Sequence, residues 1–331
     1  MLRLPGPDST VVDLADWAEL ASIFSVDGAL GRAEIADVID DELGVDDLED
    51  FALGLGVEDE LDDDEEAELR GERHRAVAEG ITASQEQTDA ILRELDFRAQ
   101  FIGPQYPLSV DGEGAVRGWA WSERPLYPFL CLLGARVLYG LDVPFHLPAR
   151  LFEEVTAHAV AHYVGGEGVR FGWPRLDDEP VEDFKTKVRA LARRMGEDVG
   201  QMRNIGPSAK DYDLDVIGWR GFQDGATPGQ MVMVCQCAIG KDWSEKILSV
   251  DSWREVINFN VRPVGALAFP HVPSRDPDLL YRWHDVTSRG NLPLDRLRLA
   301  SLLDEDRVPA PLIERVREWV AENVATLPEA A

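Results

Sequence analysis

The sequence has few cysteines, no long apolar run and, over one stretch, no positive charge. Three cysteines in 331 residues exclude a disulfide scaffold and fit a reduced, cytoplasmic protein. No apolar run approaches the ~18–20 residues of a membrane span. The best candidate, from Pro125 to Leu138, is short and broken by Arg136. The N-terminus has no apolar signal-peptide core. No Walker A motif, GxSxG, or GxGxxG after a strand is present, so ATP hydrolysis, esterase chemistry and dinucleotide binding have no support.

The formal charge is −29, but it is unevenly spread. Glu34 to Glu68 holds 18 acidic residues and no Lys or Arg, which leaves −11 for the other 296 residues. Such a stretch solubilises the chain, docks a basic protein partner or covers a basic site. An acidic protein is a poor default nucleic-acid binder, because phosphates need Lys and Arg.

Composition and periodicity divide the chain into four. Residues 1–80 form an acidic helical region, with Trp17, Leu20, Ala21 and Phe24 at helical spacing. Residues 81–148 form a helical linker domain: a helix over Thr88–Ala99, an irregular Gly/Pro-rich segment, then an apolar helix over Tyr127–Tyr139. Residues 149–272 are the α/β part. A helix is expected over Ala149–Val164, a basic helix over Val181–Met195, and strands over Tyr212–Phe222 and Gly229–Ala238. A helix over Trp243–Asn258 capped by Asp242 and a strand over Val264–Phe269 follow. Residues 273–331 are read as loop and two helices.

Chemistry concentrates between Asp211 and Lys246. Strand alternation places Asp211, Asp213 and Asp215 on one face, and Gln236 on the next strand. An acid, an amide oxygen and a nearby lysine converging on one point suit Mg2+ (or Mn2+), which takes oxygen ligands and keeps waters. Cys235 and Cys237 share the face opposite Gln236 and read as buried small hydrophobes. Glu154, His158 and His162 lie on one helix face, but HAVAH lacks the glutamate of HExxH, so these histidines read as surface or partly buried groups. On FKTKVRALARRM, Lys185, Arg189 and Arg193 form a basic stripe of phosphate-contacting size.

The run DVIGW, followed about 20 residues later by QCAIGKDWSEK, resembles one branch of the PD-(D/E)XK nuclease superfamily. That branch comprises bacterial restriction-like, phage-defence-associated proteins. ELDFRAQFIGPQYP, YPFLCLL, LFEEV and PLDRLRLASLL extend the likeness over residues ~85 to 305. The resemblance implies a restriction-endonuclease-like core, a central mixed β-sheet flanked by helices. It implies Mg2+-dependent hydrolysis of phosphodiesters in DNA. Asp215, Gln236 and Glu153 would hold the metal, and Lys246, or Lys241 in reserve, would act on water or phosphate. The superfamily's usual lysine position, two after the Glu/Gln, is Ala238. That departure leaves a second reading open: a catalytically inactive nuclease-fold subunit that scaffolds a defence complex.

Overall fold

The computed structural model describes residues 2–6, 9–43, 63–140, 146–172, 183–202, 205–206, 212–222, 227–246 and 248–328. The chain divides into two compact units.

The first unit contains α1 (Val11–Phe24), β1 (Ala29–Gly31), α2 (Arg32–Leu43) and most of the long helix α3 (Asp63–Ile102). It also contains the hairpin β2 (Leu108–Asp111) and β3 (Gly114–Arg117). A capping box starts α1: the Thr10 hydroxyl accepts from the Asp13 amide, and Asp13 accepts from the Thr10 amide. Trp17, Leu20 and Ile23 are buried as the helical spacing requires. Arg98 of α3 is fully buried, and its guanidinium is matched by Asp16 at 2.7 Å and by Glu19 and Glu94 at 2.9 Å. The segment read as irregular is the β2–β3 hairpin, which packs with β1 in the order β1-β3-β2. Its two-residue loop is Gly112–Glu113, where the Glu113 amide donates to Asp111 Oδ1 at 2.8 Å.

The second unit is α/β. Its elements are α4 (Leu126–Leu138), α5 (His146–Val164), β4 (Glu167–Arg170), α6 (Phe184–Met195), β5 (Asp198–Val199), β6 (Val216–Arg220), β7 (Met231–Cys237), α7 (Val250–Val256), β8 (Ile257–Asn258), β9 (Val264–Ala268), α8 (Tyr281–Ser288), β10 (Asn291–Leu294), α9 (Arg296–Leu302) and α10 (Ala310–Val324). A mixed five-stranded sheet runs in the order β10-β9-β7-β6-β4. β4, β6 and β7 are antiparallel, while β7, β9 and β10 are parallel. Helices flank it. On one face α6 and α7 bury Val188, Leu191, Met195 and Trp253 against Ile217, Trp219, Val232 and Val234. On the other face lies α5. Among the described residues no helix is long and apolar enough to cross a membrane.

Glycines let α5 approach. A Cβ on Gly168 would collide with the Ala157 carbonyl and stand 2.9 Å from the Ala161 Cβ, and one on Gly218 would collide with the Val160 side chain. Gly165, at φ 67°, ends α5 in the left-handed conformation open to glycine.

Three elements depart from expectation. The strand after Asp211 begins only at Val216, because Tyr212 and Asp213 take φ of 54° and 63°. Trp253 Nε1 donates to the Tyr212 carbonyl at 3.0 Å and holds that bend. The helix expected over Trp243–Asn258 is broken into one 3-10 turn at Trp243–Glu245 and α7. Trp243 stacks on Phe269 in one cluster and Trp253 enters another, so one straight helix does not serve both. Asp242 makes no side-chain cap, and Ser249 caps α7 instead. Residues 273–331 hold three helices, α8, α9 and α10, rather than two, and Asn291–Leu294 is an edge strand paired with β9, a place where Pro293 is tolerated.

Gly168→Ala is expected to lower stability by about 1–3 kcal/mol, because the obstacle is backbone rather than a yielding side chain. Chemical denaturation checks this; an unchanged midpoint would mean α5 does not press on β4.

Candidate functional site

The site forms where β4 and β6 meet the start of α5. In LFEEV all but Glu154 are buried, Glu153 at 6% exposure. On the sheet, the Asp215 carbonyl accepts from two successive amides, Phe171 at 2.6 Å and Gly172 at 3.0 Å. Two residues opposing one is a local bulge, a common device for re-aiming a side chain. The ladder register sets Asp215 opposite Gln236, yet the Asp215 amide bonds the Cys235 carbonyl at 3.1 Å. Its carboxylate then turns to the Cys237 amide, with Oδ2 accepting at 2.7 Å.

The result is a pair of facing carboxylates. A Cβ on Gly172 would collide with Glu153 Oε2 and would lie 3.1 Å from Asp215 Oδ1. Only glycine leaves that space open. Arg170 enters from β4, its Nε 2.7 Å from Glu153 Oε2, with both side chains under a tenth exposed. Lys187 of α6 donates from Nζ to the Phe171 carbonyl at 3.2 Å and lies 4.7 Å from the centre of the Phe171 ring. The ammonium is thereby anchored one residue from Gly172.

Burial pushes the Cys237 thiol up, and the Cys235 thiol and the Asp215 and Glu153 carboxylates push it further. Cys237 is therefore a neutral thiol beside two acids rather than a thiolate ligand, and Cys235 is a core residue.

Neither a protein-family model, nor a curated protein, nor a solved structure matches this chain. The site's chemistry has to be argued from its own geometry.

Glu153 and Asp215 are brought together. Gln236 lies on the neighbouring strand β7. It alternates with Cys235 and Cys237 along β7, pairs with Leu267 and is buried at 6% exposure. Its Oε1 has no hydrogen-bond partner among the described residues. Lys241 and Lys246 are exposed, beyond the end of β7, and form no ion pair among the described residues. Asp213 is exposed in the bend, and Asp211 lies outside the described residues. Arg189 and Arg193 stand exposed on α6 and Lys185 is half-buried, while Phe184, Val188 and Leu191 anchor the opposite side. Glu154 is paired with Arg315 at 2.9 Å and His162 Nδ1 sits 2.6 Å from the Leu302 carbonyl. Burial also lowers the His158 pKa. Of the acidic stretch, residues 44–62 lie outside the described residues.

Arg170, Gly172 and Lys187 are the residues that sequence reasoning missed. The strand EGVR is too short to show a period, and Lys187 lies two positions off the basic stripe. Their one signal is GVRFG, a short alternating run ending in glycine.

The donor set suits a hard cation at two points, Glu153 Oε2 and Asp215 Oδ1, around the space that a Cβ would fill. Among the described residues no group of three or more His, Cys, Asp or Glu is gathered to hold a metal.

At pH 8 the native protein is expected to show no rapidly reacting thiol, against three after unfolding. Timed reaction with an aromatic disulfide reagent reads this. A fast thiol lost in Cys237→Ser would contradict the placement of Cys237 beside the two acids.

Proposed function

We propose that the chain is a metal-dependent nuclease with a restriction-endonuclease-like core, hydrolysing phosphodiester bonds in DNA. The observation that carries the reading is the convergence of Glu153 and Asp215 on the open space at Gly172. The mixed sheet flanked by helices supports it, being the core the sequence resemblance implies. A role in bacterial restriction or antiphage defence rests on that resemblance alone.

In this reading Glu153 and Asp215 hold Mg2+ or Mn2+. Such an ion lowers the pKa of bound water and offsets phosphate charge. The Cys237 amide holds Asp215 in its rotamer, and Arg170 does the same for Glu153. Lys187, fixed at the Phe171 carbonyl, takes the lysine's part that the resemblance assigns to Lys246 or Lys241. Lys185, Arg189 and Arg193 contact the phosphate backbone, and this binding weakens with salt.

One observation favours the second reading. The Arg170 guanidinium already neutralises Glu153 inside the site, as expected for a structural ion pair in a catalytically inactive, scaffolding core. Its partner surface would be the acidic stretch 34–68.

The test is incubation of the full chain with plasmid, single-stranded DNA and RNA, in Mg2+, Mn2+ or EDTA. Cleavage is expected with metal, with a loss of about 100-fold or more in Asp215→Ala, the order seen when one active-site group is removed. Lys187→Ala is expected to lose more than Lys246→Ala or Lys241→Ala. An unchanged Asp215→Ala would remove the assignment. Cleavage of none of the substrates would leave the scaffolding reading.

A further inference from the structure

The loop that delivers Asp215 also walls a second cavity. It has a volume of about 400 Å³ and is lined by Met202, Ile205 and Tyr212 on its apolar side and by Gln201, Glu255 and Asn258 on its polar side. That size is at the lower end for small-molecule sites, and the wall is divided evenly between apolar and polar residues.

The walls are tightly built. Gly200 donates to the Val256 carbonyl at 2.9 Å, and a Cβ there would collide with the Glu255 carbonyl. The β5–β8 pair, Asp198↔Asn258 and Val199↔Ile257, braces the same segment. Among the described residues three non-glycines adopt left-handed φ: Met202 at 42°, Tyr212 at 54° and Asp213 at 63°. Two of the three line this cavity. Such conformations persist only where the surroundings impose them, and they gather at ligand sites. The imposing contacts are present at Tyr212. Trp253 Nε1 holds its carbonyl, and its ring meets Trp253 and Phe184 edge-on at 6.1 and 6.4 Å. The residue is nevertheless 38% exposed.

We propose that this cavity binds a nucleobase, one ring of the nucleic acid next to the scissile phosphate, stacked on Tyr212. The chemistry selects that class. A fixed aromatic ring and the Met202 and Ile205 side chains suit the faces of a planar heterocycle, as in sites that stack single-stranded bases. The carboxylate of Glu255 and the amides of Gln201 and Asn258 suit the donors and acceptors on its edge. Tyr212 lies three residues before Asp215 in the chain, and this is the ground for placing the base next to the carboxylate pair. The inference rests on the nuclease reading for its substrate class, but not for the existence of the site.

The test is titration calorimetry of the full chain with deoxyadenosine monophosphate, and with 2-deoxyribose 5-phosphate as the baseless control. Saturable binding of the nucleotide is expected, with the control much weaker. Tyr212→Phe keeps the ring and the affinity. Tyr212→Ala, checked for folding by circular dichroism, loses about tenfold or more, the size of one base–aromatic stack. Asn258→Ala, likewise checked for folding because Asn258 Nδ2 also donates to the Val199 carbonyl at 3.4 Å, weakens binding. No saturable binding, equal binding of the control, or an unchanged affinity in folded Tyr212→Ala overturns the inference. A chain that cleaves DNA but fails these tests keeps the nuclease reading and loses the cavity. A chain that cleaves nothing but passes them keeps the cavity and loses the nuclease.

Discussion

The candidate site depends on how closely α5 lies on the sheet. Gly168 and Gly218 have no Cβ where the Ala157 carbonyl and the Val160 side chain press in. That contact fixes the height and rotation of the helix, and with them the reach of Glu153. At Gly172 the same absence of a side chain leaves the gap that Glu153 and Asp215 face. Interiors are packed nearly as densely as crystals, so one methyl at these positions would move the helix or close the gap. Glycines placed for packing and a glycine that keeps a site open therefore lie on one short path from β4 to β6.

Charge is arranged with equal economy. Two acids so near each other in a partly dry place repel, and each is given a fixed donor: Arg170 for Glu153 and the Cys237 amide for Asp215. Losing either partner would leave a buried charge uncompensated, which is far more destabilising than the pair is stabilising. The neutral Cys237 thiol fills the space beside them without adding charge. The arrangement sets carboxylate oxygens around an opening, with an ammonium anchored one residue away.

Much of the framework was legible. The helices ending at Val164 and Met195 and the strands at Met231–Cys237 and Val264–Ala268 follow from period, capping and glycine stops. Glu153 was named through the family resemblance, since by itself it reads as a helix-surface acid. The expected shared face of Asp211, Asp213 and Asp215 assumed an unbroken alternation. The bend at Tyr212 and Asp213 and the doubled hydrogen bond at the Asp215 carbonyl break that alternation, and both depend on contacts with Trp253 and with β4 that lie far away in sequence. Lys187 was hidden for a related reason. A helix periodicity shows the exposed stripe, and Lys187 belongs to neither that stripe nor the core face but to the loop beneath.

The central claim is that Glu153 and Asp215 form a cation site at Gly172. Mn2+ titration followed by electron paramagnetic resonance tests it without reference to any substrate. One saturable Mn2+ is expected in the wild-type chain, with affinity sharply reduced in Asp215→Asn and in Gly172→Ala, whose methyl would fill the gap. Wild-type binding that is absent, or that is untouched by both substitutions, would contradict the account.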